Sequence, residues 1–284
     1  MKLAAAPAPA LAREAEVLAS LCRPALKFRV PRLLGFSARH GALAIGWVPR
    51  ARSLYALHLR QRRLPSRLGV ELGRALGSLH TSAPGELAYT PSAEELVHCL
   101  AWPSVAWYST LNPASLALLS KVQAAPGAFS ALVALSEAAR GAHRLCPVHG
   151  DFRHPNLLRA GPRWLFVDWE MGGLSDPALD VGSGFAEAIS AMVAPRSIEE
   201  QLSQSAARRW LGALWRGYGS AAPTGKGFAP RALQWAGEAL LRRVYSEAHY
   251  DARFDPSSAR VLDAALELLT RPGAWTRRLL GAGR

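Results

Sequence analysis

The sequence predicts an α+β fold with a small strand-containing N-terminal part and a large, mostly helical C-terminal part. Apolar residues recur at helical spacing over most of the 284 residues. Two stretches, GALAIGWVPR (41–50) and NLLRAGPRWLFVDWE (156–170), instead have the apolar pattern of strands. We expect a connector near residues 46–52, which divides the chain into a domain of residues 1–48 and a domain of residues 49–284.

The individual elements follow from periodicity and from helix-breaking residues. An amphipathic helix is predicted at 11–21, and a buried strand at 41–50 that ends at Pro49. The stretch 156–170 predicts a strand, a Gly-Pro turn and a second strand, which together form a β-hairpin. The remaining segments with helical spacing are bounded by Pro or Gly, and we expect helices at 64–80, 92–101, 113–123, 128–140, 178–193, 197–218, 229–249 and 258–271.

Composition limits the class of protein to which this chain can belong. Half of the residues are hydrophobic, so the chain can bury a substantial core. Lys and Arg number 34 against 21 Asp and Glu, which gives a net charge of +13 and favours anionic partners such as nucleotides or phosphorylated metabolites. The same positive charge argues against a polycationic substrate.

The cysteines and the lack of long apolar runs predict a cytoplasmic protein. Cys22, Cys99 and Cys146 lie far apart with no C-x-x-C pair, which suits neither a disulfide framework nor a zinc site. The first residues, MKLAAAPAPALAREAEVL, contain no uninterrupted apolar core, and no later stretch is apolar over the roughly 18 residues that a membrane helix needs. We therefore predict no signal peptide and no membrane span.

The stretch CPVHGDFRHPNLL (146–158) places several polar residues between apolar flanks. Asn156 follows Asp151 by five positions and precedes the first strand of the predicted hairpin, whereas Asp168 closes the second strand. Because a hairpin brings the ends of its strands together, Asn156 and Asp168 should converge. Their oxygens are the hard ligands that Mg²⁺ takes together with phosphate and water. Asp151 is then placed to accept a proton from a substrate hydroxyl.

The motifs HGDFRHPN, FVDWE and GGLSDPALD together resemble the catalytic core of the aminoglycoside phosphotransferase and choline kinase superfamily. The resemblance extends from the second residue to about residue 185. It implies a protein-kinase-like bilobal fold with a reduced N-terminal β lobe and a mostly helical C-terminal lobe. It also implies that ATP and Mg²⁺ serve in transfer of a phosphoryl group to a hydroxyl.

Carried over position by position, the resemblance implies a role for each motif residue. Asp151 is similar to the catalytic base and His149 to the loop residue that orients its neighbours, while Asn156 and Asp168 are similar to the Mg²⁺ ligands. Arg153 and His154 flank Asp151 and are candidates for contact with the acceptor or its phosphate. Two further acids should brace the loop through backbone hydrogen bonds: Asp176 and Asp180.

The N-terminal half of the nucleotide site is also expected by resemblance. Lys2 would contact the α- and β-phosphates and pair with Glu14, with Glu16 as the alternative, and the backbone from Ile45 to Trp47 would face adenine. Kinase-like proteins place a Gly-rich hairpin before this lysine, and only Met1 precedes Lys2 here. Two explanations stay open: a truncated reading of a longer gene, or a short lobe that is impaired or borrows strands from a partner protein.

We therefore expect an ATP- and Mg²⁺-dependent phosphotransferase that acts on a hydroxyl of a small molecule such as an antibiotic, a sugar or an amino alcohol. The net charge favours a neutral or anionic acceptor over a cationic aminoglycoside. One alternative is phosphorylation of Ser or Thr in a biosynthetic peptide. Another is a non-catalytic, pseudokinase-type subunit that binds a nucleotide or a partner.

Other features have simpler interpretations. No nucleic-acid-binding module is present, and the arginine clusters are expected to be solvated helix faces: Arg60, Arg62 and Arg63, Arg208 and Arg209, Arg242 and Arg243, and Arg277 and Arg278. Aromatic residues that belong either to the core or to an acceptor pocket are Trp102, Trp107 and Tyr108. Histidines expected at the surface or satisfied in the core are His40, His58, His80, His98 and His249.

Overall fold

The computed structural model describes residues 2–3, 9–21, 26–83, 85–88, 99–100, 102–140 and 145–281. Its helices are α1 (Pro9–Ser20), α2 (Leu54–Gln61), α3 (Ser66–His80), α4 (Val105–Tyr108), α5 (Pro113–Ala124), α6 (Ala128–Arg140), α7 (Ala178–Val193), α8 (Gln204–Gly219), α9 (Phe228–Tyr250), α10 (Pro256–Thr270) and α11 (Pro272–Leu280). Its strands are β1 (Lys2–Leu3), β2 (Phe28–Arg29), β3 (Leu33–Ser37), β4 (Ala42–Ile45), β5 (Arg52–Ser53), β6 (Cys146–Val148), β7 (Leu157–Ala160), β8 (Arg163–Phe166) and β9 (Gly173–Ser175).

The α+β class and the hairpin of β7 and β8 are confirmed, and several boundaries are corrected. Helix α8 begins at Gln204 rather than 197, because the Ser203 hydroxyl accepts from the Ala206 amide and caps the helix there. Strand β4 is shorter than the run at 41–50. Helix α11 and strand β3 were not predicted; the residues of β3 are mostly exposed and lack the alternation that identifies a strand. The helix expected at 92–101 lies largely outside the described residues.

Three small sheets hold the strands. The first has the order β1-β4-β3 and is antiparallel, with Lys2 opposite Leu43. The second has the order β2-β8-β7-β5, in which β2 runs parallel to β8, and the third pairs β6 with β9. The second sheet contains strands from both sides of residue 48, so the domain boundary proposed there stays a prediction.

One large hydrophobic core extends from Val17 in α1 to Leu279 in α11. Three tryptophans, Trp169, Trp210 and Trp235, are among its largest fully buried side chains. In the described part of the chain, no single helix has the length and apolar character needed to cross a membrane. Among the described helices, α5 and α6 taken together are long and apolar enough, but the two are bent by 90° relative to each other.

Helices α3 and α8 pack with their backbones in contact. Gly69, Gly73 and Gly77 repeat every four residues and so lie on one face of α3. A Cβ at Gly73 would lie 2.2 Å from the Leu214 carbonyl oxygen, and one at Gly217 would lie 2.3 Å from the carbonyl oxygen of Val70. The glycines therefore permit a close approach, which brings the C-terminal ends of both helices together, where His80 Nδ1 lies 3.0 Å from the Tyr218 hydroxyl.

We expect Gly73→Ala to lower the free energy of unfolding by about 2 kcal/mol or more, because the new methyl group forces the two backbones apart. Gly212→Ala on α8 is the matched control: its Cβ would meet only the flexible guanidinium of Arg216, at 3.2 Å. The control should leave stability unchanged or raise it by up to about 1 kcal/mol. Chemical denaturation measures both, and an equal effect of the two substitutions would contradict the packing described here.

Candidate active site

A single carboxylate holds the backbone of the loop that follows β6. Asp180, in the first turn of α7, accepts from the amide of His149 at Oδ2 (2.7 Å) and from the amide of Gly150 at Oδ1 (2.9 Å). His80 Nε2 donates to the same Oδ2 (3.1 Å), and the other ring nitrogen of His80 lies 3.0 Å from the Tyr218 hydroxyl. The prediction that Asp180 braces the loop is confirmed, and His80 is a satisfied core residue.

Gly150 can only be glycine in this loop. Its φ is +78°, and a Cβ there would lie 2.1 Å from the Met171 carbonyl oxygen. The loop therefore lies directly against the segment that follows Asp168.

The ring of His149 is fully buried and links the loop to the end of the hairpin. Its Nε2 donates to the Val167 carbonyl (2.9 Å), and its Nδ1 accepts from the Asp151 amide (3.3 Å). The ring also packs against Trp169, with the centroids 4.4 Å apart. These contacts fix the backbone on both sides of Asp151 and beside Asp168.

Asp151, Arg153 and Asn156 form one hydrogen-bonded group. Arg153 Nε donates to Asp151 Oδ2 (2.7 Å), and Asn156 Nδ2 donates to the same oxygen (2.8 Å) and to the Asp151 carbonyl (3.1 Å). Both side-chain bonds fall on Oδ2, so Oδ1 is the oxygen left to meet a substrate. The bonds also orient the carboxamide, whose own oxygen remains as an acceptor or a ligand.

The hairpin places Asn156 and Asp168 beside each other, as expected. The Val167 amide donates to the Asn156 carbonyl (3.0 Å), which continues the β7–β8 pairing to the residue before Asp168. Asp168 has a φ of +69°, a conformation that costs energy for any residue except glycine and that clusters at functional sites. The turn at Asp168 directs the chain away from the strand at this point.

The side chains fit a hard cation such as Mg²⁺ but would not complete its coordination. Asp168 offers carboxylate oxygens and Asn156 a carboxamide oxygen, and Mg²⁺ typically takes one or two carboxylates together with substrate phosphates and water. Among the residues that the structure describes, no three His, Cys, Asp or Glu side chains form a group that could hold a metal ion. A cation held here would therefore need oxygens from a substrate.

Of the N-terminal residues predicted to bind the nucleotide, Glu14 is the one whose contact with the segment beside Asp168 is described. Glu14 is fully buried in α1, and its Oε1 accepts from the Trp169 amide (3.4 Å), directly after Asp168, whereas Glu16 is exposed. Lys2 lies in β1 next to β4, but its side chain is outside the described residues. Ile45 is half-buried against the small cluster of Leu11, Ala15 and Leu43, and Trp47 is 88% exposed.

A cleft of about 510 Å³ opens beside Asp151, between the loop, α7 and α9. Its charged lining consists of Asp151, Arg153, Glu170, Glu187, Arg196, Arg242, Arg243, Glu247 and Asp251. Three of these arginines pair with glutamates: Arg196 with Glu200, Arg242 with Glu238, and Arg243 with Glu247. Positive and negative groups are nearly balanced in the cleft, in contrast to the strongly basic chain as a whole.

Glu187 is a cleft residue whose pKa is shifted toward the neutral form. Burial raises the pKa of Glu187, and the nearby guanidiniums of Arg196, Arg243 and Arg153 oppose that rise without cancelling it. The carboxyl lies 3.9 Å from His154 Nδ1. Glu187 therefore places a carboxyl group with a raised pKa at the cleft wall.

Sequence reasoning missed Glu187 and the paired arginines. On α7 and α9, Glu187, Arg242 and Arg243 look like the exposed charges of any amphipathic helix, and Arg196 lies in the loop after α7. Only tertiary packing places them around Asp151. A signal did exist: Arg243 and Glu247 are four residues apart, as are Arg196 and Glu200. Such pairs are common on helix surfaces, so the spacing alone would not have singled them out.

Two predictions for the motif residues were wrong. His154 does not face the cleft: it is buried with its ring edge-on to Trp210 and near His58. Asp176 does not brace the loop, because it accepts instead from Arg231 (2.7 Å) and from the Trp235 indole (3.2 Å) on α9.

The other aromatic and histidine predictions had mixed outcomes. Trp102 and Tyr108 are about half exposed and lie outside the residues that line the cleft, while Trp107 stacks on Tyr245. His40 is exposed, and His98 lies outside the described residues. His58 and His249 each have one buried ring nitrogen with no hydrogen-bond partner in the described structure, so neither is a fully satisfied core residue.

The fold and the loop together define a class of protein with a protein-kinase-like, bilobal fold. Residues 1–235 match the family described as phosphotransferase enzyme family (APH). The match covers most of the chain, and the chain belongs to this family. A search of curated proteins gave no match.

Solved structures with the same fold include kinases of small molecules. A choline/ethanolamine kinase family protein from Mesorhizobium loti is 18% identical, with 96% of this chain and 82% of that chain covered and a TM-score of 0.56. A thermostable mutant of the aminoglycoside phosphotransferase APH(4)-Ia is 17% identical, with 93% and 84% covered and a TM-score of 0.58. The macrolide 2'-phosphotransferase MphH from Brachybacterium faecium is 17% identical, with 95% and 83% covered and a TM-score of 0.52. At these identities the likeness shows the fold.

We expect Asp180→Asn to lower the free energy of unfolding by about 2–4 kcal/mol, because a buried carboxylate that accepts two amides and a ring N–H is lost. The matched control is Asp263→Asn at an exposed position of α10, which should change stability by less than about 0.5 kcal/mol. Denaturant titration measures both. Equal stability of the Asp180 variant and the control would refute the bracing role.

Burial lowers the pKa of His154 from 6.5 to about 3, and the charges of His58 and Arg196 add to this shift. Below pH 6.5 the unfolded chain therefore binds a proton that the folded chain does not, so this residue makes stability fall as the pH falls. Between pH 6.5 and about pH 5 the loss should be about 2 kcal/mol.

In His154→Leu this part of the pH dependence should disappear, whereas His40→Leu, at an exposed position, should keep it. Unfolding free energies measured by denaturation at several pH values between 7 and 5 provide the comparison. An unchanged slope in the His154 variant would show that this residue does not set the acid sensitivity.

Proposed function

We propose that this protein transfers the γ-phosphoryl group of ATP to a hydroxyl of a small molecule, with Asp151 as the catalytic base. The proposal rests on one observation above all: Asn156 and Arg153 both bind Oδ2 of Asp151, which leaves Oδ1 to receive a proton at the edge of the cleft. A carboxylate with one oxygen fixed and the other open is suited to position and deprotonate a hydroxyl.

The residues divide the work of the reaction. Asp151 Oδ1 takes the proton of the acceptor hydroxyl while the hydroxyl oxygen bonds to the γ-phosphorus. The bond between that phosphorus and the β,γ-bridging oxygen breaks, and ADP leaves. Arg153, which touches Asp151 and lines the cleft, is placed to contact the transferred phosphoryl group. His149 acts as a positioning residue, because its ring ties the Asp151 amide to Val167.

Asn156 and Asp168 are the residues that would hold Mg²⁺, which when bound neutralises charge on the phosphate oxygens. Glu14 is held beside Asp168 through the Trp169 amide. It would pair with Lys2, which would contact the α- and β-phosphates. The backbone from Ile45 to Trp47 would face adenine. Relatives support a nucleotide: APH(4)-Ia was crystallised with ADP and hygromycin B, and the choline kinase LicA with AMP.

The cleft favours a neutral acceptor or one of low net charge. Its arginines are neutralised by glutamates that lie on the same helices or beside them, so they do not form a free anion site. The lining itself has five acidic side chains against four arginines, a small excess of negative charge that suits a neutral or weakly charged acceptor better than a polycationic aminoglycoside. A partner protein that completes the N-terminal lobe has no support among the relatives.

The direct test is phosphate transfer from γ-labelled ATP in the presence of Mg²⁺ to a panel of neutral, anionic and cationic hydroxyl compounds. We expect transfer to a neutral or weakly charged compound, and Asp151→Asn should reduce the rate by about 10²–10⁴-fold while nucleotide binding persists. Asp263→Asn serves as the matched control and should retain the full rate. No transfer to any acceptor, or an undiminished rate in the Asp151 variant, would refute the proposal.

A further inference from the structure

A second cavity, of about 520 Å³, lies along α8, beside the N-terminus of α3 and the C-terminal end of α11, and shares no lining residue with the cleft beside Asp151. Its walls are formed by Ser66, Ser205, Arg208, Arg209, Gly212, Arg216, Leu279, Leu280 and Gly281. Three arginines therefore line it, and none of its described lining residues is acidic. This contrasts with the catalytic cleft, where each basic group is matched by a carboxylate.

The three guanidiniums have no carboxylate partner among the residues that the structure describes. Arg208, Arg209 and Arg216 are all exposed and take part in none of the described ion pairs, unlike Arg62, which pairs with Glu199 on a neighbouring surface. Unpaired guanidiniums that converge on one concavity repel one another, and an anion relieves that repulsion.

Helix ends add to the positive potential of this cavity. Ser66 is the first residue of α3, a helix of 15 residues whose N-terminus has no side-chain cap. The Leu68 amide donates to the Pro65 carbonyl (3.0 Å), which leaves the amides of Ser66 and Arg67 for an anion. The C-terminal end of α11 opposes this with about half a negative charge, which three full positive charges outweigh.

The floor of the cavity is shaped by Gly212, in the middle of α8. A Cβ at this position would lie 3.2 Å from Nη1 of Arg216, so the missing side chain leaves room for that guanidinium to lie over the helix. Glycine inside a helix costs about 1 kcal/mol relative to alanine. A residue that weakens the helix but opens space between arginines suits a ligand site better than a plain solvated surface.

We propose that this cavity binds a small compound that carries two or more phosphate groups. Arg208 and Arg216 are eight residues apart, which is about 12 Å along the helix, so a ligand with several phosphate groups can contact all three arginines at once. The cavity is concave and partly walled by Leu279 and Leu280, which favours a compact ligand over a duplex nucleic acid. Arg208 and Arg209, which were expected to form only a solvated helix face, are thus proposed as part of a binding site.

The test uses the full-length protein and inorganic tripolyphosphate as the probe, titrated by calorimetry in metal-free buffer that contains EDTA. We expect the wild type to bind, and Gly212→Glu, which places a carboxylate among the guanidiniums, to bind at least about tenfold more weakly. Gly212→Ala is the matched control without charge: its methyl group meets only the flexible Arg216 guanidinium, so it should weaken binding far less than Gly212→Glu. If Gly212→Glu failed to fold, as judged by circular dichroism, Arg208→Glu with Arg216→Glu would replace it.

A second control has the same change in net charge as Arg208→Glu with Arg216→Glu. Arg39→Glu with Arg260→Glu alters two exposed arginines elsewhere on the chain and should leave the affinity within about twofold of the wild type. The proposal would be overturned by a wild type that does not bind tripolyphosphate, by equal weakening in the cavity variants and the control pair, or by binding of duplex DNA alone.

Discussion

The carboxylate of Asp180 is the contact on which the candidate active site depends. It accepts from two consecutive amides of the loop and from His80, and so fixes the backbone immediately before Asp151. His80 in turn lies at the end of α3 and meets Tyr218 at the end of α8. These two helix ends come together because Gly73 and Gly217 let the backbones touch. Packing between two helices is thereby linked to the position of the proposed base.

Buried hydrogen bonds also connect the loop to the hairpin. The His149 ring joins the Asp151 amide to the strand before Asp168, and the Glu14 carboxylate joins α1 to the amide after it. Hydrogen bonds to buried groups are costly to break, so each one restricts the site to a single arrangement. The result is a hydrogen-bonded frame that holds the backbone around Asp151, Asn156 and Asp168, with several arginine–glutamate pairs lining the cleft beside it.

The sequence predicted which motif residues lie together better than it predicted the residues that surround them. Asp151, Asn156 and Asp168 could be recognised because their spacing is set by one loop and one hairpin, which are local structures. His80 could not, since its partner Asp180 lies 100 residues away and only tertiary packing reveals it. His154 was misplaced because its neighbour Arg153 faces the cleft, whereas the short 3₁₀ turn at 154–156 rotates His154 into the core. Glu187 and the cleft arginines look like ordinary helix-surface charges until the helices pack.

The proposed role of the loop is tested most directly by calorimetric titration of a non-hydrolysable ATP analogue with and without Mg²⁺, in the wild type and in Asp168→Asn. If Asn156 and Asp168 hold the metal on the phosphates, Mg²⁺ should raise the affinity of the wild type at least about tenfold, and the variant should lose that gain while it remains folded. An affinity that is independent of Mg²⁺, or a gain that survives in the variant, would contradict the account.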